Sequence, residues 1–215
     1  MLPAAKPMAF LSDIHGALGP LEAVLDELAR RDVGDIYVAG DLLLGGDEPL
    51  AVWRRLQSVN ARCTRGASDT ALCMIDPATL APADEQQRAA AERFVRTRTE
   101  LGELGLASIR RLPERLRIPL IDGREMLMTH ESPLGTGAEL SHDLSDEELV
   151  ELLDSDPADL FVVGSTHVPF QRALTGAHVI NVGSVGQAAG GGVAHFTIVH
   201  PRLDGTEILQ DFVTL

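Results

Sequence analysis

The first third of the chain alternates short apolar runs with segments of helical periodicity. Each run is long enough for a buried strand and ends in polar residues or glycine, which predicts strands at 8–11, 36–39 and 61–64. Between the first two runs, apolar residues recur at the spacing of one helix face: Leu21, Val24, Leu25 and Leu28. A second helix is predicted after the second run, capped by Asp47 and with Pro49 in its first turn. Strands separated by such helices indicate a parallel sheet with right-handed crossovers.

The middle of the chain differs in character, because residues 84–117 contain eight arginines and six acidic residues. Within this segment, residues at intervals of four and three predict the inner face of an amphipathic helix: Ala90, Phe94, Thr97, Leu101 and Leu104. We interpret the segment as a helical insertion over about residues 82–112, weakened near its end by Gly102 and Gly105. Its arginines are expected on a solvent-exposed face, the alternative being a lid that contacts substrate phosphate or a second copy.

The last part of the chain begins with a predicted hairpin, 116–120 and 125–129, that turns at Asp122 and Gly123. Residues 131–160 then carry ten acidic residues and no lysine or arginine. Within them, Ser145 and Glu148 form the pattern of a capping box, which predicts the start of a helix. The rest is mostly strand, predicted at 160–163, 179–182, 195–199 and 207–213. With no repeat and no long linker, we expect a single domain over residues 1–215.

Composition narrows the class of protein. Of 215 residues, 45% are hydrophobic and 23% are charged, which supports a buried core and excludes a largely disordered chain. The formal net charge of -14 repels nucleic-acid backbones and anionic membranes, so neither long nucleic acids nor membranes are expected partners. Two cysteines are too few for a disulfide framework, and no segment has the pattern of a signal peptide or a membrane span. A cytoplasmic location is therefore expected.

Chemically capable side chains follow the predicted strands at the points where the strands end. They are, in chain order, Asp13, His15, Asp41, the segment 65–69, His130 and His167. Open α/β sheets gather their ligands at the carboxyl ends of strands. Two aspartates with two or three neutral histidines suit Mn, Fe, Zn, Co or Ni, and not the all-oxygen cage of calcium. Such a cation would receive an anionic phosphate despite the negative overall charge and would lower the pKa of a bound water toward ~7 from about 15.7.

Five short motifs give the chain a family resemblance. They are LSDIHG (11–16), AGD (39–41), THESP (129–133), GSTHVPF (164–170) and NVGSVG (181–186). In their order and spacing over residues 8–199, the chain resembles the calcineurin-like metallophosphoesterases, specifically their small bacterial phosphodiesterase branch. The resemblance implies a four-layer αββα sandwich and hydrolysis of a phosphodiester or phosphomonoester by a metal-activated water. The implied partner is a small phosphorylated substrate or nucleotide, and self-association into homo-oligomers is left open.

The resemblance also implies metal ligands. The first of two metal sites would comprise Asp13, His15, Asp41 and His167. Asp41 would bridge to the second site, to which His130 would belong. The implied cofactor is one or two divalent metal ions per chain, with manganese favoured over Fe, Zn, Co and Ni. Arg65, directly before the third motif of the family, is the best candidate for contacting a substrate phosphate.

The chain departs from the family at the second site. The family's third motif is Gly-Asn-His-Asp or Gly-Asn-Cys-Asp, whereas this chain has Gly66-Ala67-Ser68-Asp69. Ala67 therefore replaces an asparagine ligand, and Ser68 replaces a residue that, as histidine in many members, helps to protonate the leaving oxygen. Ser165 replaces the first histidine of the family's Gly-His-Thr-His motif. No catalytic side chain is assigned as general acid.

Three hypotheses follow from these losses. The chain is a phosphoesterase that works through the first site alone, or one whose second site is rebuilt with Glu131, Asp69 or His142. Alternatively, it has lost catalysis and keeps the pocket as a metal- or nucleotide-binding sensor or as an interaction module. The sequence favours the enzyme over the sensor, with the incomplete second site as the main departure from the family.

Overall fold

The computed structural model describes residues 3–135 and 137–215. In this part of the chain, helices and strands alternate up to residue 74, and strands dominate after residue 115. The strands are β1 (Met8–Leu11), β2 (Asp35–Ala39), β3 (Arg62–Thr64), β4 (Arg115–Pro119), β5 (Glu125–Thr129), β6 (Leu160–Val163), β7 (Phe170–Leu174), β8 (Ala177–Asn181), β9 (Val193–His200) and β10 (Glu207–Thr214). The helices are α1 (Leu18–Arg30), α2 (Pro49–Ser58), α3 (Ala67–Met74), α4 (Glu85–Arg110) and α5 (Asp146–Leu152).

The strands form two mixed sheets. The first has the order β10-β9-β1-β2-β3, in which β1, β2 and β3 are parallel and β9 runs antiparallel to both of its neighbours. The second has the order β4-β5-β6-β8-β7, in which β5, β6 and β8 are parallel and the two edge strands are antiparallel. The parallel pairing predicted for the first three strands is therefore present, and the last two strands extend that sheet.

Buried apolar side chains separate the layers. Between the two sheets lie residues from both, among them Phe10 and Tyr37 of the first sheet and Met126 and Val162 of the second. Helices α1 to α4 cover the outer face of the first sheet, and α5 covers the outer face of the second, where its Leu149 is fully buried. The order helix, sheet, sheet, helix confirms the four-layer αββα sandwich. No helix in the described residues is long and apolar enough to cross a membrane.

Local sequence signals explain where some helices begin. The Ser145 hydroxyl accepts a hydrogen bond from the Glu148 amide, and the Glu148 carboxylate accepts one from the Ser145 amide, so α5 has the predicted capping box. The predicted cap of α2 is wrong. Glu48 occupies the N-cap position, while Asp47 accepts a hydrogen bond from Arg96 of α4 at 2.7 Å. A proline in the first turn starts this helix without a side-chain cap.

The buried face of helix α4 differs from the predicted one at its first and last residues, Ala90 and Leu104. Gly102 adopts φ 61° and ψ 177°, which breaks the helical path. The kink changes which residues face the core, so Leu106 and Ile109 are buried whereas Leu104 is 87% exposed. Ala90, near the start of the helix, is exposed as well. The rest of α4 packs on α2 and α3 as part of the outer helical layer.

Strand β7 was not expected from the sequence. Its residues alternate between exposed and half-buried, with no fully buried position, because it lies at the edge of the second sheet. The predicted hairpin is formed by β4 and β5, with Pro119 opposite Glu125 and Gly123 at φ 86° in the turn. The carboxyl ends of β1 and β2 in one sheet and of β5 and β6 in the other open on the same side of the sandwich, and this side holds the predicted site.

Candidate metal centre

The loops that leave β1, β2, β5 and β6 meet at one edge of the sandwich. The Asp13 amide donates to Gly40 O at 3.1 Å, and the Gly164 amide donates to His130 O at 3.1 Å, so neighbouring loops are tied together within each sheet. All five predicted ligands come together here: Asp13, His15, Asp41, His130 and His167. Their ligand atoms form two groups with all atoms within 4.8 Å of one another, Asp13 with His15 and His167, and Asp13 with Asp41 and His130.

Each histidine of the cluster is oriented by a backbone carbonyl oxygen. The three Nδ1 atoms lie 2.7 to 2.9 Å from the carbonyl oxygens of Leu44 (His15), Ala39 (His130) and Gln187 (His167). Because a carbonyl oxygen only accepts, Nδ1 of each neutral imidazole carries the proton, which leaves the lone pair on Nε2. The Nε2 atoms of His15, His130 and His167 lie 3.5, 4.0 and 3.1 Å from Asp13 Oδ1. Three lone pairs therefore converge on one carboxylate oxygen.

Asp13 presents a buried oxygen without a conventional donor. Its side chain is fully buried, and Oδ2 accepts a hydrogen bond from the Ser165 amide at 3.1 Å. Oδ1 accepts no hydrogen bond that meets geometric criteria within residues 3–135 and 137–215. A buried carboxylate oxygen is costly unless a donor or a cation satisfies it. The position of Oδ1 between three Nε2 atoms fits a cation better than a donor.

Asp41 lies between the two histidine groups. Its Oδ1 accepts a hydrogen bond from the Ser68 amide at 2.9 Å and lies 3.5 Å from Nε2 of His130. Its Oδ2 lies 3.9 Å from Nε2 of His15. Asp41 thus faces a histidine on each side, as a bridging ligand would, but Asp13 is the residue common to both groups.

The pKa values of the cluster shift in opposite directions. Burial disfavours the charged form of Asp13, but the imidazoles of His15 and His167 outweigh it, so the pKa of Asp13 falls below its ordinary value. Burial also opposes protonation of His130, but Asp41 and Asp13 outweigh it and raise the pKa of His130 to about 9. A metal cation would have to compete with these protons, since histidine binds metals only in its neutral form.

The backbone at the cluster adopts conformations that are costly for residues with a side chain. Five of its residues have positive φ: Asp13 (54°), His15 (50°), Asp41 (52°), Ser165 (70°) and His167 (60°). Two glycines also allow close packing. A Cβ on Gly66 would lie 2.2 Å from Asp41 Oδ1, and one on Gly164 would lie 1.9 Å from Ser12 Oγ. Strain of this kind is concentrated at functional sites.

The residues at the departures from the family pattern also lie at the cluster. Ala67 is the first residue of α3 and has no ligand atom. Ser68 and Ser165 each have a buried hydroxyl that makes no hydrogen bond to the described residues. Both serines nevertheless hold a carboxylate, through the backbone amide rather than the hydroxyl.

Asp69 and His142, two candidates for a rebuilt second site, lie outside both ligand groups in the described residues. Asp69 is fully buried and accepts hydrogen bonds from the amides of Leu42 and Gly66 at 3.1 and 3.0 Å, which fixes the start of α3. Burial, together with repulsion from Asp41, raises the pKa of Asp69 to about 6. His142 lies on the surface and pairs with its neighbour in the chain.

Arg65 lies beside the cluster, but its guanidinium already has partners. Its three nitrogen atoms donate to Thr70 Oγ1, Arg110 O and Glu114 Oε1 at 3.0, 2.8 and 2.6 Å. Arg65 lines a cavity of about 360 Å³ next to His130. Glu131, the third candidate for a rebuilt second site, lines the same cavity and belongs to neither ligand group.

The motif NVGSVG supports the backbone of Asp13. The Ser184 hydroxyl and the Gly186 amide both donate to Asp13 O, at 2.8 and 2.9 Å, and the Val185 amide donates to Ser12 O. These contacts are not predictable from the sequence, and neither are the amides and carbonyl oxygens that orient the aspartates and histidines. Backbone groups are the same in every residue, so the motif was the one available signal of this support.

The donor set as a whole fits a divalent metal ion. Two buried carboxylates and three imidazole lone pairs supply a mixture of oxygen and nitrogen. Such a mixture suits Mn, Fe, Zn, Co or Ni better than calcium, which prefers oxygen alone. The geometry of the described residues therefore supports the metal chemistry expected from the sequence.

Comparisons with known proteins find the same fold in several solved structures. A metallophosphoesterase from Sphaerobacter thermophilus is 23% identical with a TM-score of 0.75, and the match covers 96% of this chain and 88% of that one. Hypothetical protein PH1004 from Pyrococcus horikoshii OT3 is 21% identical with a TM-score of 0.77, covering 98% and 88%. Yfce, a phosphoesterase from E. coli, is 21% identical with a TM-score of 0.53, covering 97% and 99%.

At these identities the structural matches show the fold alone. No curated protein sequence matches the chain. The sequence profile of the calcineurin-like phosphoesterase superfamily domain, however, matches residues 7–203, which include all five predicted ligands. The chain therefore belongs to the calcineurin-like phosphoesterase superfamily.

Proposed function

We propose that this chain is a metal-dependent phosphoesterase that hydrolyses a small phosphodiester or phosphomonoester, nucleotides included. One observation carries the proposal. The Nε2 atoms of three histidines surround a buried oxygen of Asp13 at the carboxyl ends of parallel strands. In a chain of net charge -14, an anionic ester needs a local source of positive charge, and this cluster is built to hold one.

The residues that would hold the cation are Asp13, His15, Asp41 and His167, with His130 on the side of the second site. When bound, a divalent cation neutralises charge on a phosphoryl oxygen and makes a bound water more acidic. We favour manganese, which accepts mixed oxygen and nitrogen ligands. The amides of Ser165 and Ser68 prevent the two carboxylates from rotating away from the cation.

We further propose that a single cation is sufficient. Ala67 has no ligand atom, and the hydroxyl of Ser165 is a poor ligand for these metals. The second group retains only Asp13, Asp41 and His130 among the described residues. A second ion would therefore bind more weakly than the first.

Arg65 is proposed to contact the substrate phosphate. A guanidinium has five N–H groups, and the three hydrogen bonds of Arg65 leave two of them for a ligand. Its carboxylate partner Glu114 is largely exposed, so an arriving phosphate can replace it.

The test is turnover of bis(p-nitrophenyl) phosphate by Mn²⁺-loaded protein. We expect wild-type protein to be active and Asp41→Asn to lose about a hundredfold or more in activity while remaining folded by circular dichroism. Asp47→Asn is the matched control, because Asp47 is an exposed surface residue paired with Arg96. This control should keep wild-type activity.

Other outcomes separate the remaining hypotheses. Equal activity of Asp41→Asn and wild type would contradict the proposal. Stabilisation by Mn²⁺, about 2.7 kcal/mol at a hundredfold excess over Kd, with no turnover in either protein, would instead favour the metal-binding sensor.

A further inference from the structure

A cavity adjoins the metal cluster, and most of the residues that line it have no role in the function proposed above; Arg65 and His130 are the two that do. It encloses about 360 Å³ between Gly66 and Ala67, at the start of α3, and the loop that follows β5. This volume is enough for a small organic group. Because His130 belongs to the cluster and also lines the cavity, a group attached to a phosphate at the cluster can enter it.

The wall of the cavity is charged but balanced. Arg65 and Arg115 line it, and so do Glu114 and Glu131, so their formal charges cancel. The wall also carries side-chain hydroxyls, those of Thr70, Thr129 and Ser132. The hydroxyls of Thr70 and Ser132 are hydrogen-bonded within the protein. A second phosphate would meet two carboxylates as well as two guanidinium groups, and an apolar group would leave Arg115 and Glu131 without a complementary partner. The wall is therefore suited to a neutral group that carries several hydroxyls.

Two of the charged side chains remain available to a ligand. Arg115 donates to Pro133 O and forms no ion pair with any residue in 3–135 or 137–215, and the carboxylate of Glu131 makes neither a hydrogen bond nor an ion pair within those ranges. Arg65, in contrast, pairs with Glu114 at 2.6 Å and is the residue proposed above to contact the phosphate. A guanidinium that donates and a carboxylate that accepts are together complementary to neighbouring hydroxyl groups, which do both.

We propose that this cavity binds the alcohol part of the substrate, and that Arg115 and Glu131 select a polyhydroxylated alcohol such as a pentose. The substrate class is then the phosphate ester of a polyol. This inference rests on the proposed function, because the phosphate of the same ester would lie at the cluster.

Equilibrium binding tests the inference separately from catalysis. Mn²⁺-loaded protein is titrated calorimetrically in the cold with ribose 5-phosphate and with propyl phosphate, which has the same phosphate and no hydroxyls. We expect ribose 5-phosphate to bind about tenfold tighter or more, the effect of hydrogen bonds to charged groups. Arg115→Gln and Glu131→Gln should each remove most of this preference and leave the affinity for propyl phosphate unchanged.

The matched control is Arg117→Gln on the same strand, because Arg117 pairs with Glu125 and Asp156 instead of lining the cavity. It should keep the preference. Equal affinity for the two esters, no measurable binding of ribose 5-phosphate, or a preference unchanged in both cavity variants would overturn the inference. Selective binding without turnover of either ester would count against hydrolysis and support the role of the cavity, whereas turnover without selectivity would do the reverse.

Discussion

Single residues at the cluster adopt backbone conformations that an ordinary loop would avoid. Five non-glycine residues have positive φ, each at a cost on the order of 1–3 kcal/mol. Four of the five are proposed ligands, and the fifth, Ser165, donates its amide to Asp13. The strain therefore coincides with the chemistry, and the glycines around it are the positions where a small change should have a large effect.

Gly66→Ala should weaken metal binding. A Cβ on Gly66 would lie 2.2 Å from Asp41 Oδ1 and 2.4 Å from the Asp41 backbone nitrogen, so both the carboxylate and the backbone of Asp41 have to shift. We expect the affinity for Mn²⁺ to fall about tenfold or more, measured by calorimetry. Gly34→Ala is the control, because a Cβ there meets nothing within 4 Å. Equal affinities in the two variants would show that this contact does not position Asp41.

The double variant Ala67→Asn with Ser165→His should gain a second equivalent of bound Mn²⁺. The cavity beside Ala67 has room for a larger side chain, and His15 and His167 show that histidine is compatible with the positive φ found at Ser165. Metal content per chain is the measurement, with Ala67→Ser as a control that adds no good ligand. An unchanged metal content would mean that the lost ligands are not what limits the second site.

The side chains of the site could be predicted because each follows a strand whose end the apolar pattern marks. The groups that hydrogen-bond to these side chains could not be predicted from the sequence. Ser68 and Ser165 hold the carboxylates through their backbone amides, which any residue except proline would supply. Positive φ angles at polar residues likewise cannot be read from the sequence. Arg65 is engaged by residues from α3, the end of α4 and the segment before β4, a convergence that only the fold creates.

Among the elements, α4 shows how one glycine redirects a helix. The path breaks at Gly102, and the two halves then bury different faces, with Phe94 and Leu101 before the break and Leu106 and Ile109 after it. Both halves nevertheless pack into the same apolar core beneath the outer helical layer.

Gly102→Ala should destabilise the protein by about 1–3 kcal/mol. The combination of φ 61° and ψ 177° is essentially restricted to glycine, whereas open space surrounds the position, so the cost is conformational and not steric. Chemical denaturation measures it, and the affinity for Mn²⁺ should stay at the wild-type value. A variant as stable as wild type would mean that the helix straightens at no cost.

Elements defined by neighbouring residues were predicted well, and those defined by distant contacts were not. The capping box of α5 and the β4–β5 hairpin depend on residues close in sequence. Strand β7 forms by pairing with β8 at the edge of the second sheet. Asp47 pairs with Arg96 of another helix instead of capping α2. The apolar spacing of α4 wrongly predicted that Leu104 is buried, because the helix is kinked at Gly102.

At the scale of the whole molecule, the buried aspartates couple metal binding to the protonation of the neighbouring histidines. Without metal, His130 is protonated well above its ordinary pKa of 6.5, because Asp41 and Asp13 surround it. The pKa of His15 is raised as well, where the same two aspartates outweigh its burial. In the metal-free protein, protons on the histidines therefore supply the positive charge that a bound cation would supply.

Metal-free protein should lose stability as the pH rises from 6.5 to about 9. The folded-state pKa of His130 is the higher one, so the stabilising charge is fully present below 6.5 and is lost as the pH passes about 9. Denaturation in EDTA across this interval is the measurement. Over the same interval the affinity for Mn²⁺ should rise, because fewer protons have to leave. A denaturation midpoint that stays constant would contradict this account.

The proposed ligands come from both sheets, and this placement affects how the protein unfolds. Asp13 and Asp41 follow strands of the first sheet, and His130 and His167 follow strands of the second. A cation held by Asp13 and Asp41 from the first sheet and by His167 from the second would act as a cross-link between the two halves of the sandwich, which cannot separate until the coordination bonds break. Departure of the ion would then limit the unfolding rate, and the metal-loaded protein would resist proteases for a time set by kinetics rather than by its equilibrium stability.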